Sequence, residues 1–162
     1  MLLAKVSEAA RAQVQERIER LVSSALQAVF AEELRFKVIL YELGGAPAAR
    51  FEVESACGSS YISVAPEDSR GGGITDVVSL ALRIAVLELI HPKQTAPMIL
   101  DEPGKMISAE YAANVAYWLK QYARQTGRQI ILVTHNTALA DAADKTIKVI
   151  KIDGESEASE IA

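Results

Sequence analysis

The sequence predicts an α/β fold with a largely parallel sheet and flanking helices, preceded by a small antiparallel meander and an N-terminal coiled-coil-like helix. Three observations predict this order. Residues 2–34 contain neither Gly nor Pro, residues 35–65 contain runs that alternate at period two, and residues 66–154 alternate helix-type with strand-type patterns. Strands that alternate with helices are typical of parallel sheets, because a helix connects each strand to the next.

The N-terminal helix is predicted over residues 1–34. Its Ala, Glu, Gln, Arg and Leu residues are good helix formers. Five apolar residues recur at steps of four, three, four and three, as in a heptad repeat: Val14, Ile18, Leu21, Ala25 and Ala28. The helix is therefore either a core helix of this domain or the end of a coiled coil whose partner helix lies elsewhere.

Residues 35–162 are predicted to form the second unit, in which residues 35–65 supply the antiparallel strands. In the remainder, residues 66–154, the pattern predicts a glycine-rich loop (66–73), an apolar helix (74–90), a strand (97–100), a helix (109–125), a strand (129–133), a short helix (139–143) and a last strand (146–152). The polar tail after Gly154 is predicted to be irregular.

Composition excludes several classes of protein. The net charge of −4 argues against a broad basic face that binds nucleic acid through phosphates alone. A single cysteine, Cys57, cannot form an internal disulfide or a zinc cluster. Lys5, Glu8 and Arg11 interrupt any signal-peptide core, and no apolar run approaches the roughly 18 residues of a membrane span. A reducing cytoplasmic location without a membrane is expected.

Polar residues follow two of the predicted strands directly. Asp101 and Glu102 end one strand, and His135 follows another. Ligands of parallel sheets bind beyond the carboxyl ends of the strands. Two carboxylates about 4 Å apart repel by about 4 kcal/mol at an effective dielectric constant near 20, and Mg²⁺ would relieve that repulsion. A histidine at the same edge can hydrogen-bond a phosphate or hold a water.

The glycine-rich loop precedes the apolar helix. Its last five residues are Ser69, Arg70, Gly71, Gly72 and Gly73. The start of a helix offers unpaired N–H groups and about half a positive charge, so a phosphate would bind well there. Taken singly, each pattern also fits an ordinary surface: a solvated acidic pair, a flexible loop, and a histidine that caps a strand end.

The order of these motifs resembles the C-terminal half of ABC-type ATPase heads, and within that family the SMC and SbcC-like heads, which have a P-loop NTPase-like fold. The glycine-rich loop that leads into the apolar helix is similar to the signature loop, and Asp-Glu-Pro at the end of its strand is similar to the Walker B motif. Residues 104–108 correspond to the D-loop, and Thr-His-Asn corresponds to the H-loop. The resemblance covers residues 60–150 well. It implies that Asp101 organises Mg²⁺, Glu102 polarises the attacking water, and His135 contacts the γ-phosphate of ATP. Gly72 and Gly73 would hold ATP bound to a second head.

Two positions depart from the family pattern. Gly71 stands where the family usually has Ser, so the loop would depend on Ser69, Arg70 or backbone N–H groups. Ser108 stands in the D-loop where Asp is usual. Either departure could slow ATP hydrolysis or change how two heads communicate. Residues 69–73 and Ser108 are all predicted to contact the nucleotide.

The sequence contains no G-x-x-x-x-G-K-S/T phosphate loop. In heads of this family that Walker A loop lies in an N-terminal half, upstream across the coiled coil. The resemblance therefore implies a half-head, inactive alone, that is completed by its N-terminal half and by a second head in an ATP-dependent dimer. DNA and a nuclease subunit are further implied partners. The alternative is a degenerate, non-catalytic head that acts as a protein-interaction module. The glycine triplet argues against a third interpretation, a mismatch-repair-type ATPase.

Overall fold

The structure, a computed structural model, describes residues 2–69 and 71–161. Arg70, which was predicted to contact nucleotide, lies outside the described residues. The helices are α1 (Leu2–Phe30), α2 (Gly72–Leu89), α3 (Ala109–Thr126) and α4 (Thr137–Asp141), with a 3-10 turn at Pro66–Asp68. The strands are β1 (Leu34–Leu43), β2 (Ala46–Cys57), β3 (Ser60–Val64), β4 (Met98–Asp101), β5 (Ile130–Val133), β6 (Thr146–Ile152) and β7 (Glu155–Ile161). Within the described ranges, no helix has both the length and the apolarity of a membrane span.

The C-terminal half of α1 belongs to the core. Val22, Ala25, Leu26 and Val29 are all 0% exposed. The buried face is therefore displaced from the predicted heptad repeat, in which only Ala25 is buried. The core-helix interpretation thus holds for this half. Residues 8–17 are mostly exposed, and the assignment of the N-terminal half of α1 to a coiled coil stays a prediction.

Polar side chains of α1 bind the outer backbone edge of β1. They lie four residues apart, so they share one face of the helix. The amide groups of Gln15 and Gln27 donate to the carbonyls of Val38 and Leu34, and the side-chain oxygens of Glu19 and Ser23 accept from the N–H groups of Val38 and Phe36, at 2.8 to 2.9 Å. These bonds occupy groups that an edge strand otherwise leaves unpaired.

The meander is an antiparallel sheet with the order β1-β2-β3. Phe36 lies opposite Val53, which in turn lies opposite Val64. One face of the sheet packs on α1, where Leu34, Phe36 and Val53 are buried. This confirms the predicted meander.

β4 and β5 form a parallel pair in which Leu100 lies opposite Leu132. One face packs into the core with α2 and α3, and Met98 and Leu100 are buried there. The opposite face leaves Ile99 71% exposed and Val133 56% exposed. Parallel sheets are usually covered on both faces, so this uncovered apolar face is unusual.

The segment after Gly154 forms β7, which pairs antiparallel with the whole of β6. The prediction of an irregular tail was wrong. All seven residues of β7 are exposed, so no apolar periodicity indicates the strand. The available signal was Asp153-Gly154, whose backbone φ angles of 50° and 92° form the turn of a hairpin.

Candidate nucleotide-binding edge

The carboxyl ends of β4 and β5 bring together two of the predicted site residues. The backbone N–H of Glu102 donates to the carbonyl of Val133 at 2.8 Å, which extends the parallel pairing by one residue. The side chain of Glu102 then lies 2.8 Å from His135, measured from Oε2 to Nδ1. Asp101, the last residue of β4, is exposed beside this pair. The expected juxtaposition of acid and imidazole is present.

Glu102 has a left-handed backbone with φ of 45°. This region is uncommon for a residue with a Cβ and costs roughly 1–2 kcal/mol. The conformation turns the chain sharply at the end of the strand, just before Pro103. A side chain that continued the pleat of β4 would point to one face of the sheet; Glu102 instead reaches the segment that follows β5.

The bond between Glu102 and His135 determines which imidazole nitrogen is free to bind a ligand. An ionised carboxylate only accepts hydrogen bonds, so the proton of this bond is on Nδ1 of His135. Nε2 is left to act on other groups, and the His135 side chain is 77% exposed. A neutral ring accepts a hydrogen bond from water through Nε2, whereas a ring with both nitrogens protonated donates to a phosphate oxygen.

Thr134 and Asn136, on either side of His135, shape the loop. Thr134 Oγ1 accepts from the N–H of Asn136 at 3.1 Å, and Asn136 Oδ1 accepts from the N–H of Ala138 at 3.0 Å. Asn136 thereby caps the N-terminus of α4. Their side chains hold the backbone that presents His135.

Asp101 and Glu102 could supply only part of a metal site. Among residues 2–69 and 71–161, no group of three or more His, Cys, Asp and Glu side chains is arranged to hold a metal ion. Mg²⁺ commonly takes one or two protein carboxylates and completes its shell with waters and substrate phosphates. The exposed Asp101 carboxylate fits that pattern of partial ligation.

The glycine turn begins α2. Gly71 is the N-cap with φ of 81°, and space around it is open. The Ser69 hydroxyl donates to the carbonyl of Pro66 at 2.5 Å, and the Thr75 hydroxyl donates to the same carbonyl at 3.0 Å. Ser69 thus has a partner within its own loop, and its predicted contact with nucleotide stays a prediction.

The loop of residues 103–108 packs against the glycine turn. A Cβ on Gly72 would lie 3.0 Å from the Cβ of Met106, and one on Gly73 would lie 3.5 Å from the Met106 carbonyl oxygen. The missing side chain of Gly72 therefore permits close approach by a neighbouring loop of the same chain, whereas the spacing at Gly73 is an ordinary van der Waals distance. The Met106 N–H donates to Asp76 Oδ2 at 2.6 Å. Sequence reasoning missed Asp76, although an acid near the start of an apolar helix was a weak signal.

Ser108 lies at the far end of the same loop. It is the N-cap of α3 and is exposed. Its hydroxyl donates to Glu110 Oε1 at 3.2 Å, and its carbonyl accepts from the N–H of Tyr111 at 3.0 Å. Local capping accounts for its conformation, and its predicted contact with nucleotide stays a prediction.

Archaeal proteins described as DNA double-strand break repair Rad50 ATPases are similar to this chain over part of its length. The protein from Methanopyrus kandleri is 35% identical over 91 residues, and that from Thermococcus kodakarensis is 34% identical over 85 residues. The chain is homologous to part of the Rad50 ATPases. The two matches cover 55% and 52% of the chain but only 10% and 9% of the relatives' length. No protein-family model matches.

Solved SMC heads share the fold. An SMC head bound to the C-winged helix domain of ScpA superposes with a TM-score of 0.73 at 22% identity, covering 98% of this chain and 46% of that one. An SMC ATPase chain studied for ATP-driven dimerization gives a TM-score of 0.71 at 20% identity, covering 95% of this chain and 89% of that one. The expected fold class is confirmed: α/β, as in SMC heads.

Proposed function

We propose that this chain is the C-terminal portion of an ATP-binding and ATP-hydrolysing head of the Rad50 and SMC kind, acting in DNA repair or chromosome maintenance. The observation that carries the proposal is the 2.8 Å bond between Glu102 and His135 at the carboxyl edge of β4 and β5. An acid and an imidazole at this edge suit water activation beside a phosphate. Homology to Rad50 ATPases supports the same assignment.

Each polar residue of this edge has a role in the proposal. Glu102 accepts a hydrogen bond from the attacking water and orients it. His135 stabilises the γ-phosphate through Nε2 while Nδ1 remains bonded to Glu102. Asp101 would hold Mg²⁺, which supplies positive charge against the phosphate oxygens when bound.

The uncovered side of the parallel pair supports completion by another lobe. Ile99 and Val133 expose apolar surface on one face of the sheet. Among the described residues, β5 pairs only with β4. A cleft of about 590 Å³ lies along β5 and is lined by residues of β5, α3, α4 and the start of β6, among them Leu132 and Ile147. We propose that a strand of the lobe carrying the phosphate loop occupies this cleft and pairs with β5 on the edge away from β4. Other parts of the same lobe would bury the exposed face that carries Ile99 and Val133.

The start of α2 supports an arrangement with a second head. Its backbone N–H groups at Gly72 and Gly73 are suited to an anion. The proposal assigns them to the γ-phosphate of ATP held by a second head in an ATP-dependent dimer. DNA, and a nuclease subunit working with it, are proposed partners of the complete assembly because the relatives act in DNA double-strand break repair.

The proposal is tested with Glu102→Gln in the head assembled from this chain and its phosphate-loop lobe. We expect kcat for ATP hydrolysis to fall about 10²- to 10⁴-fold, as for loss of a general base. ATP affinity, measured by equilibrium binding, should change little because the amide keeps the shape of the side chain. Glu42→Gln, at the exposed end of β1, is the matched control.

Equal kcat for Glu102→Gln and the unaltered head would overturn catalysis at this edge. That result would favour the alternative, a non-catalytic head that serves as a protein-interaction module. The chain by itself is expected to hydrolyse ATP negligibly, since it contains no phosphate-loop motif.

A further inference from the structure

The 103–108 loop joins the two halves of the candidate site within this one chain. It starts one residue after Glu102 and ends at the N-cap of α3. Within it, the N–H of Ile107 donates to the carbonyl of Gly104 at 3.0 Å, and Gly104 has φ of 77°. The Ile107 side chain is buried in the core. The loop is thus a compact turn with one apolar anchor.

A second anchor is polar and comes from α2. Asp76, one turn after Gly72, accepts a hydrogen bond from the Met106 N–H through Oδ2 at 2.6 Å. A bond from a backbone N–H to a carboxylate is charge-assisted, so it is stronger than a bond between neutral groups. It ties the loop to the helix that starts with the glycine turn.

The contacts around Gly72 and Gly73 also place the 103–108 loop against the start of α2. Met106 lies so close to Gly72 that an added Cβ would meet its Cβ at 3.0 Å. Ile107 Cα would lie 3.6 Å from a Cβ on Gly73. The loop approaches Gly72 this closely because Gly72 lacks a side chain, whereas the spacing at Gly73 is an ordinary van der Waals distance. Asp76 then holds the loop at the start of α2.

We propose that Asp76 is a positioning residue that fixes Glu102 relative to the glycine turn. This inference depends on the proposed function, in which Glu102 acts on one ATP and the glycine turn grips the ATP of a second head. The Asp76–Met106 bond makes these two contacts parts of one rigid unit. Binding at the glycine turn is thereby coupled to the geometry of hydrolysis at Glu102.

Asp76→Ala and the conservative Asp76→Asn are compared, with Asp153→Asn in the β6–β7 turn as a matched control. Amide exchange at Met106, measured in the 162-residue chain, should accelerate about fivefold in Asp76→Ala, as expected for loss of one hydrogen bond. In the assembled head, kcat should fall about tenfold through misplacement of Glu102, with KM for ATP changed less than about twofold. Asp76→Asn should lie between, and Asp153→Asn should match the unaltered protein.

The outcomes separate this inference from the proposed function. If the amide hydrogen of Met106 exchanges at the same rate in Asp76→Ala, the hydrogen bond between Asp76 and Met106 is ruled out. Faster exchange with unchanged kcat, while Glu102→Gln abolishes hydrolysis, overturns the positioning role and leaves the proposed function intact. A fall in kcat that only follows loss of folded protein in both Asp76 variants also overturns it. Hydrolysis unaffected by Glu102→Gln overturns the proposed function and the coupling together.

Discussion

Polar side chains at the two ends of the β4–β5 pair differ in their exposure to solvent. At the carboxyl end, Glu102 and His135 bond to each other, and the imidazole is mostly exposed. At the amino end, Arg128 lies just before β5 with a side chain only 4% exposed. Its guanidinium donates to the carbonyl of Ala96 at 2.7 Å and to that of Gln94. The Tyr122 hydroxyl donates to Glu88 beside it at 2.6 Å.

We expect polar groups at the amino end to contribute to stability and those at the carboxyl end to contribute to activity. At the amino end, buried polar groups bond mainly to groups of the same chain, so they fix the segment that leads into β4. At the carboxyl end, Glu102 and His135 retain capacity for a ligand, and Glu102 has a strained backbone. Substitutions at the amino end should therefore reduce stability, whereas those at the carboxyl end should reduce activity and not stability.

The largest expected effect on stability comes from Arg128→Met. It removes the donors to two carbonyls and leaves Glu88 with less compensation in a buried site. The free energy of unfolding should fall by about 3 kcal/mol, the range for breaking a buried charged network. Urea unfolding measures it, with the exposed Arg17→Met as control. A fall below about 1 kcal/mol would contradict the view that the amino end fixes the fold.

A smaller effect on the free energy of unfolding is expected at Glu102, where relief of backbone strain should stabilise the chain. Glu102→Gly and Glu102→Ala both remove the carboxylate, but only Gly adopts a φ of 45° without strain. The Gly variant should be more stable than the Ala variant by about 1 kcal/mol in urea unfolding. At the exposed helical position Ala113, substitution by Gly should instead destabilise by about 1 kcal/mol. Equal stability of the two Glu102 variants would remove the argument for strain at the site.

The smallest effect is confined to alkaline pH. Burial, and then the hydrogen bond to Glu88, raise the pKa of Tyr122 from 10.0 to about 12. Between these values the unfolded chain loses the Tyr122 proton and the folded chain keeps it, so this contribution to stability is complete below pH 10 and is lost as pH rises towards 12. Thermal unfolding across this window should show a weaker pH dependence for Tyr122→Phe than for the unaltered chain. The exposed Tyr117→Phe should retain the original dependence.

Much of the candidate site could be predicted because its residues follow the carboxyl ends of two parallel strands. Once residues 97–100 and 129–133 are identified as parallel strands, their carboxyl ends must share an edge, and Asp101, Glu102 and His135 come with them. Asp76 could not be predicted this way. Its partner Met106 is thirty residues away and contributes only a backbone N–H, which no side-chain pattern reveals.

Sequence alone determined the order of helices and strands from α1 to β6, because apolar spacing and glycine positions act over a few neighbouring residues. It also determined which residues end the parallel strands. Only the tertiary structure decided which face of α1 is buried, that β7 pairs with β6, and that one face of the β4–β5 sheet stays uncovered. These features depend on contacts between distant segments, whose free energy arises when surfaces meet and has no counterpart in local sequence.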